Sequence, residues 1–314
     1  YIIDYVDFSK HKCTSGGKNM KKSKKILSMG LAALTALTMS ISMTGCGSSD
    51  SSVSSVDGNS DNSKVYNIGI CQLIQHEALD AATKGFKDTL TEKLGSKVKF
   101  DEQNAQGDSA NCTTICNQFV SSNVDLILGN GTAALQAAYT NTDKIPVLGT
   151  SITDYATALD IKDWTGVSNM NVSGTSDLAP LEEQAKMLNE IFPDAKNVGI
   201  LYCSAEANSK YQADTITPFL EKFGYKVSSY TFSDSNDIAA IAKDACDKND
   251  VLYIPTDNTA ANNTGIINNI AIAAKTPIIA GEEGICKGCG VATLSISYYA
   301  VSYTHLRAHE TLMN

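Results

Sequence analysis

Basic residues are in the minority in this 314-residue chain: 25 Lys and Arg stand against 34 Asp and Glu, for a formal net charge of -9. The chain therefore lacks the cationic stripe that displaces counterions from a phosphate backbone, which argues against nucleic-acid binding. No Gly-x-Gly-x-x-Gly follows the first β-rich run, and no Walker sequence occurs. Gly-x-Ser-x-Gly is missing as well. The signatures of dinucleotide binding, of P-loop chemistry and of a hydrolase nucleophile elbow are thus absent, and no cofactor is expected. The 9 cysteines include one Cys-x-x-Cys, Cys286 to Cys289, with no second pair to complete a structural zinc site. No metal is expected, and the chain is not read as an enzyme.

Apolar residues are not scarce. At 43% they are enough to build cores, and the length suggests about two domains. Residues 20–25, Met-Lys-Lys-Ser-Lys-Lys, form a cationic run, and residues 26–43 are rich in Leu, Ala and Met. The stretch closes on Thr44-Gly45-Cys46. Basic, then apolar, then small is the layout of a secretory signal. The Gly-Cys ending resembles a bacterial lipobox, which implies lipidation of Cys46 and a membrane anchor at the outer face of the cell membrane. An uncleaved membrane span is the alternative, disfavoured by the Ser and Thr inside a short apolar run. Residues 47–64 are Gly, Ser, Asp and Asn with little else, a composition that predicts a tether. Residues 1–19 precede the signal and read as upstream translation. Residues 301–314 interrupt the pattern of the body and read as foreign, so the His305 and His309 pair carries no metal expectation.

From residue 65 onward β-rich runs alternate with helical ones. Strands are expected at 65–71, 98–103, 126–130 and 146–150, then at 197–202, 226–232, 251–255, 277–281 and 291–295. Helices are expected at 78–94, 109–121, 178–191 and 210–223, and from Ala133. This alternation predicts an α/β fold: two Rossmann-like lobes with parallel sheets, 65–175 and 176–295, joined by a hinge. Residues 170–180, rich in Asn, Ser, Gly and Thr, read as the crossover. Residues 296–314 read as a truncated return to the first lobe.

In such sheets ligands sit beyond the carboxyl ends of the strands. The polar residues there form the candidate set: Gln72, His76, Asn130, Thr132, Thr150 and Ser151 in the first lobe, and Asn208, Asp257, Asn258 and Glu283 in the second. Hydroxyls, amides and helix N-termini suit a carboxylate, and Asp257 and Glu283 suit an ammonium group. Together they describe a site for a zwitterion. Taken singly, each Ser, Thr, Asp or Asn of the set is better explained as an N-cap of the next helix than as a ligand contact. His76 also reads as a loop residue, and Asp80 and Glu206 as helix-start charges. Tyr202, Tyr211 and Tyr298 offer either a stacking face or ordinary packing.

The runs Ile74-Gln75-His76-Glu77-Ala78-Leu79-Asp80, Lys84-Gly85-Phe86, Asn104-Ala105-Gln106-Gly107-Asp108, Pro193-Asp194-Ala195-Lys196, Ser204-Ala205-Glu206-Ala207-Asn208-Ser209 and Pro255-Thr256-Asp257-Asn258 carry a family likeness. In this order and spacing they resemble the ABC transporter substrate-binding proteins, including the TrpX-like tryptophan-binding group, from about residue 65 to 299. Gly281-Glu282-Glu283 departs from the Ser-Asp-Glu common in that family. The resemblance implies a type I periplasmic-binding-protein fold, an aromatic or other hydrophobic amino acid as small-molecule ligand, ABC permease subunits as partners, and a monomer. Two other readings stay open: a sensor feeding a signalling receptor, and an enzyme or a thiol or metal protein using Cys286 and Cys289.

Overall fold

The computed structural model describes residues 9–12 and 64–303. The signal at 20–46 with Cys46, the tether at 47–63 and the tail from 304 lie outside the described residues.

β2 (Tyr66–Gln72) and β4 (Leu126–Asn130) are apolar on both faces because helices cover both. On one face Ile68, Ile70 and Leu128 pack with Phe86 of α1 (Glu77–Leu94). On the other, Cys71 and Ile127 pack with Cys112, Ile115, Cys116 and Phe119 of α2 (Ser109–Ser121). Asp108 starts α2 as its N-cap, its side chain accepting from Ala110 N, as a short acidic residue before a helix does. β3 (Val98–Asn104), β5 (Val147–Ile152) and β6 (Val172–Ser176) complete a parallel sheet of order β3-β2-β4-β5-β6. α3 (Thr132–Asn141) and the short α4 (Tyr155–Ala158) finish this lobe.

The second lobe repeats the plan. β7 (Asn197–Cys203) sits between β8 (Lys226–Phe232) and β9 (Val251–Ile254), followed by β10 (Ile278–Ala280) and β11 (Ala292–Ser295). Numbered within each lobe, both sheets run 2-1-3-4-5, a doubly wound order whose ligands lie at the strand carboxyl ends. β1 (Ser9–Lys12) adds antiparallel to the outer edge of β11. α5 (Leu181–Ile191) and α6 (Ala207–Lys222) cover one face around Ile200 and Tyr253. α7 (Ile238–Lys248), α9 (Thr264–Ala274) and α10 (Glu283–Cys289) cover the other around Leu201, Leu252 and Ile254.

The crossover region holds one element that its composition did not announce. Residues 172–176, Val-Ser-Gly-Thr-Ser, form β6 and pair with β5 (Val147 opposite Val172) before the chain crosses at 177–180. Gly174 is required there, with φ 155 and no room for a side chain: a Cβ would strike the Gly149 carbonyl and the Tyr155 hydroxyl. After β11 the chain crosses back. Ile296 and Tyr298 pack against Ala78 and Ala82 of α1, and residues 298–303 are helical. This helical segment lies so close to α1 that a Cβ on Gly85 would sit 2.5 Å from the Tyr299 carbonyl oxygen. Thr150 and Ser302 share a hydroxyl hydrogen bond of 2.7 Å. Among the described residues no helix is long and apolar enough to cross a membrane.

Candidate functional site

The carboxyl ends of both sheets converge on one cleft. The first lobe contributes His76, Ala78, Leu79, Ser151 and Thr153, and the two crossings contribute Asp177 and Tyr298. The second lobe contributes Asn208, Thr256, Asp257, Asn258, Ala261 and Glu282.

Local backbone geometry explains why several of these face inward. His76 is the N-cap of α1 in extended conformation (φ -160, ψ 168) and makes no capping bond, which leaves its ring to turn into the cleft. Ser151 has φ 58, a left-handed conformation uncommon for serine, at a register shift between β5 and β6. Asp177 follows β6 directly, and Tyr298 reaches it from the return crossing, its hydroxyl donating to Asp177 Oδ2 at 3.0 Å.

Buried polar atoms without a partner are rare in folded proteins and each asks for an explanation. Among the described residues they are His76 Nδ1, Ser151 Oγ, Asp177 Oδ1, Asn130 Oδ1 and Thr293 Oγ1. The first three belong to residues lining this one cleft. It therefore holds one hydroxyl, one carboxylate oxygen and one imidazole nitrogen that the protein itself leaves unsatisfied.

The second lobe is organised by Glu206. Its carboxylate accepts from Asn258 N (3.0 Å), Asn258 Nδ2 (2.7 Å), Thr259 N (2.8 Å) and Thr259 Oγ1 (2.7 Å). It thereby clamps the start of α8 (Asn258–Asn262). Asp257 caps the same helix through Ala260 N at 2.7 Å, and its other oxygen accepts from Cys203 N at 2.7 Å. Both Asp257 oxygens are thus committed to backbone N–H groups.

Three buried carboxyl groups share this space. Burial raises Asp177 above the ordinary carboxylate range, against the pull of the Tyr298 and Thr153 hydroxyls. Burial, reinforced by the nearby charge of Glu206, pushes Asp257 up to about 8. Glu282, the N-cap of α10, is also raised by burial, although it accepts from Gly284 N at 2.7 Å and from Ile285 N. A cation entering the cleft would offset the cost of these charges.

Contacts tie the lobes across the cleft. His76 Nε2 lies 3.0 Å from Asn258 Oδ1, and Gln212 Nε2 donates to Thr153 Oγ1 at 3.3 Å. The Lys287 ammonium pairs with Glu77.

Of the residues expected from sequence, the cleft gathers His76, Ser151, Asn208, Asp257 and Asn258. The others stand elsewhere. Gln72 holds β2 to α1, donating to Asp80 Oδ1 (2.7 Å) and accepting from Thr83 Oγ1 (2.6 Å). Asn130 donates to the Leu79 carbonyl and Thr83 Oγ1. Thr132 is buried at the start of α3, and Thr150 bonds Ser302. Glu283 lies on the surface, paired with Lys287 at 2.9 Å, while its neighbour Glu282 points inward. Tyr202 is core, and Tyr298 reaches the cleft. Cys289 is a free thiol that donates to the Ile285 carbonyl, and burial pushes it up to about 12; it is not bonded to Cys286. Thr256 and Glu282 lie in strand-end runs that the sequence points to, without having been chosen as site residues; Asp177 and Thr153 were not anticipated.

The profile of the ABC transporter substrate binding protein family matches residues 67–308. The chain belongs to that family. Among its relatives, the tyrosine-binding protein of Clostridioides difficile (strain R20291) is 37% identical over 288 residues, 90% of this chain and 82% of that protein. Two solved structures bear on lobe arrangement. An ABC domain from Streptococcus pneumoniae in complex with L-Trp is 29% identical with a TM-score of 0.75, covering 80% of this chain and 85% of that one. A ligand-free, open substrate-binding protein from Clostridium difficile is more similar in sequence, at 36%, yet has a TM-score of 0.56, with 80% and 86% covered. This family member therefore superposes better on the L-Trp complex than on the open form, in keeping with the contacts that bridge its cleft. The fold is that of type I periplasmic binding proteins, two doubly wound α/β lobes.

Proposed function

We propose that this protein is the extracytoplasmic solute-binding component of an ABC importer, capturing an amino acid as a zwitterion by closure of its two lobes. One observation carries the reading: a hydroxyl (Ser151) and a carboxylate oxygen (Asp177) are buried and unpartnered in the same interlobe cleft. Ser151 donates to the ligand carboxylate, and Asp177 Oδ1 accepts from its ammonium in a charge-assisted bond. Asn208, Thr256 and Asn258 frame the opposite wall, and Asp257 acts as the cap that shapes it. The apolar lining from Ala78, Leu79, Ala261 and Tyr298 receives the ligand side chain. The tyrosine-binding and L-Trp-bound relatives support a large aromatic side chain.

Lobe closure is the signal that permease subunits read. A ligand must favour the closed form by about 5.5 kcal/mol to carry the equilibrium from 1:99 to 99:1. The protein works as a monomer, held to the cell membrane through acylated Cys46. Labelled palmitate is expected in the native chain and not in Cys46→Ala; equal labelling of both would refute the anchor.

Calorimetric titration and thermal shift with the amino acids test the ligand class. An aromatic amino acid at 100 times its dissociation constant is expected to stabilise the fold by about 2.7 kcal/mol. Silence toward every amino acid would sink the reading.

A further inference from the structure

We infer that the cleft selects an amino acid whose side chain ends in a hydrogen-bond donor, and that His76 is the residue that makes the selection; this rests on the amino-acid reading of the cleft. The inference begins at Glu206. Its Oε2 accepts from Asn258 Nδ2 at 2.7 Å, which fixes which way the Asn258 amide points. Asn258 Oδ1 then faces His76 Nε2 at 3.0 Å. A carbonyl oxygen only accepts, so the His76 proton sits on Nε2, and in the neutral ring Nδ1 is left as an acceptor. That nitrogen is buried and has no partner in the protein.

The cleft thus offers a ligand two unpartnered acceptors, Asp177 Oδ1 and His76 Nδ1. A zwitterion brings one ammonium, and its carboxylate only accepts. The charged acceptor takes the ammonium. The two acceptors also stand apart in the fold. Asp177 follows β6 and His76 follows β2, with β4 and β5 between them in the sheet. Their side chains thus enter the cleft from different strands, so an ammonium seated at Asp177 leaves His76 Nδ1 for a donor farther along the ligand. His76 Nδ1 therefore receives a phenol O–H or an indole N–H. Phenylalanine and leucine would bury it unsatisfied, and sites built to bond a substrate hydroxyl reject the analogue lacking it strongly. The relatives named above, for tyrosine and for L-Trp, bind the two aromatic side chains that carry such a donor.

The test compares L-Tyr, L-Phe and O-methyl-L-tyrosine, and L-Trp against 1-methyl-L-tryptophan, by calorimetry on the native protein and on His76→Leu. In the native protein the donor-bearing ligand of at least one pair is expected to bind about 100-fold or more tightly than its donor-free partner. In His76→Leu that ratio falls to within about threefold. The ligand series stands even where the variant folds poorly. Equal affinity for L-Tyr and L-Phe in the native protein, with L-Trp and its methylated form also equal, overturns the inference. So does a native ratio that persists in His76→Leu, or tight binding restricted to aliphatic amino acids. These outcomes leave the amino-acid reading standing. Failure of every amino acid to bind removes that reading and the inference together.

Discussion

Asp177→Asn is expected to weaken amino-acid binding by about 30-fold to about 4,000-fold, the range seen when one partner of a buried charge pair is truncated. The substitution keeps the shape of the side chain and an oxygen to accept from Tyr298. It removes the charge that an ammonium requires. It also removes a buried carboxyl whose ionisation burial already disfavours. The melting temperature of the ligand-free variant at pH 7 should therefore stay level or rise. The same group gives binding a pH dependence with a definite sign. Ammonium capture needs the ionised carboxylate, so affinity falls as pH drops through the raised value of Asp177. That loss begins above the ordinary carboxylate range near 4. At pH values low enough to protonate Asp177, binding releases a proton, and calorimetric heats there should vary with the ionisation enthalpy of the buffer. An Asp177→Asn protein that binds as tightly as the native one would refute this role.

Asp257→Ala is expected to act on the fold. It removes the N-cap of α8, worth about 1 kcal/mol. It also strands the buried Cys203 N–H, at about 1–3 kcal/mol. A loss of about 2–4 kcal/mol should appear in denaturant unfolding as a lowered midpoint with an unchanged slope. At temperatures where the variant is folded, ligand affinity should move far less than in Asp177→Asn. The opposite pattern, full stability with lost binding, would transfer the ammonium to Asp257. Comparing the two variants in both readouts thus assigns each aspartate its work.

The strands were legible because buried parallel strands are written as short apolar runs. Residues 126–130 and 226–232 match β4 and β8 in full, and the other expected strands differ by one or two residues at an end. β6 was not legible. It is an edge strand with two serines, a threonine and a glycine that only a tertiary clash requires, and it reads as a linker. The site was half legible for a related reason. Position after a strand is visible in sequence; direction is not. Gln72, Asn130 and Thr150 end strands as expected, yet they point sideways into helix contacts. In Glu282-Glu283 two identical residues start one helix. The first takes the extended N-cap conformation (φ -147) and turns inward, and the second faces solvent. A preference for acidic N-caps was the available signal. Asp177 gave none, because its importance comes from a meeting with Tyr298, 121 positions away in the chain.

That meeting has a mechanical consequence. Asp177 lies on one crossing between the lobes and Tyr298 on the other, so the pair sits at the pivot. When two rigid bodies swing apart, points at the axis travel least and points at the rim travel most. On the proposed reading, the ammonium receptor therefore keeps its shape through the whole swing, while His76, Asn258 and the Lys287–Glu77 pair are carried away from one another at the end of a lever arm. On that reading an arriving solute docks charge-first at the axis, and its side chain is inspected only as the jaws come together.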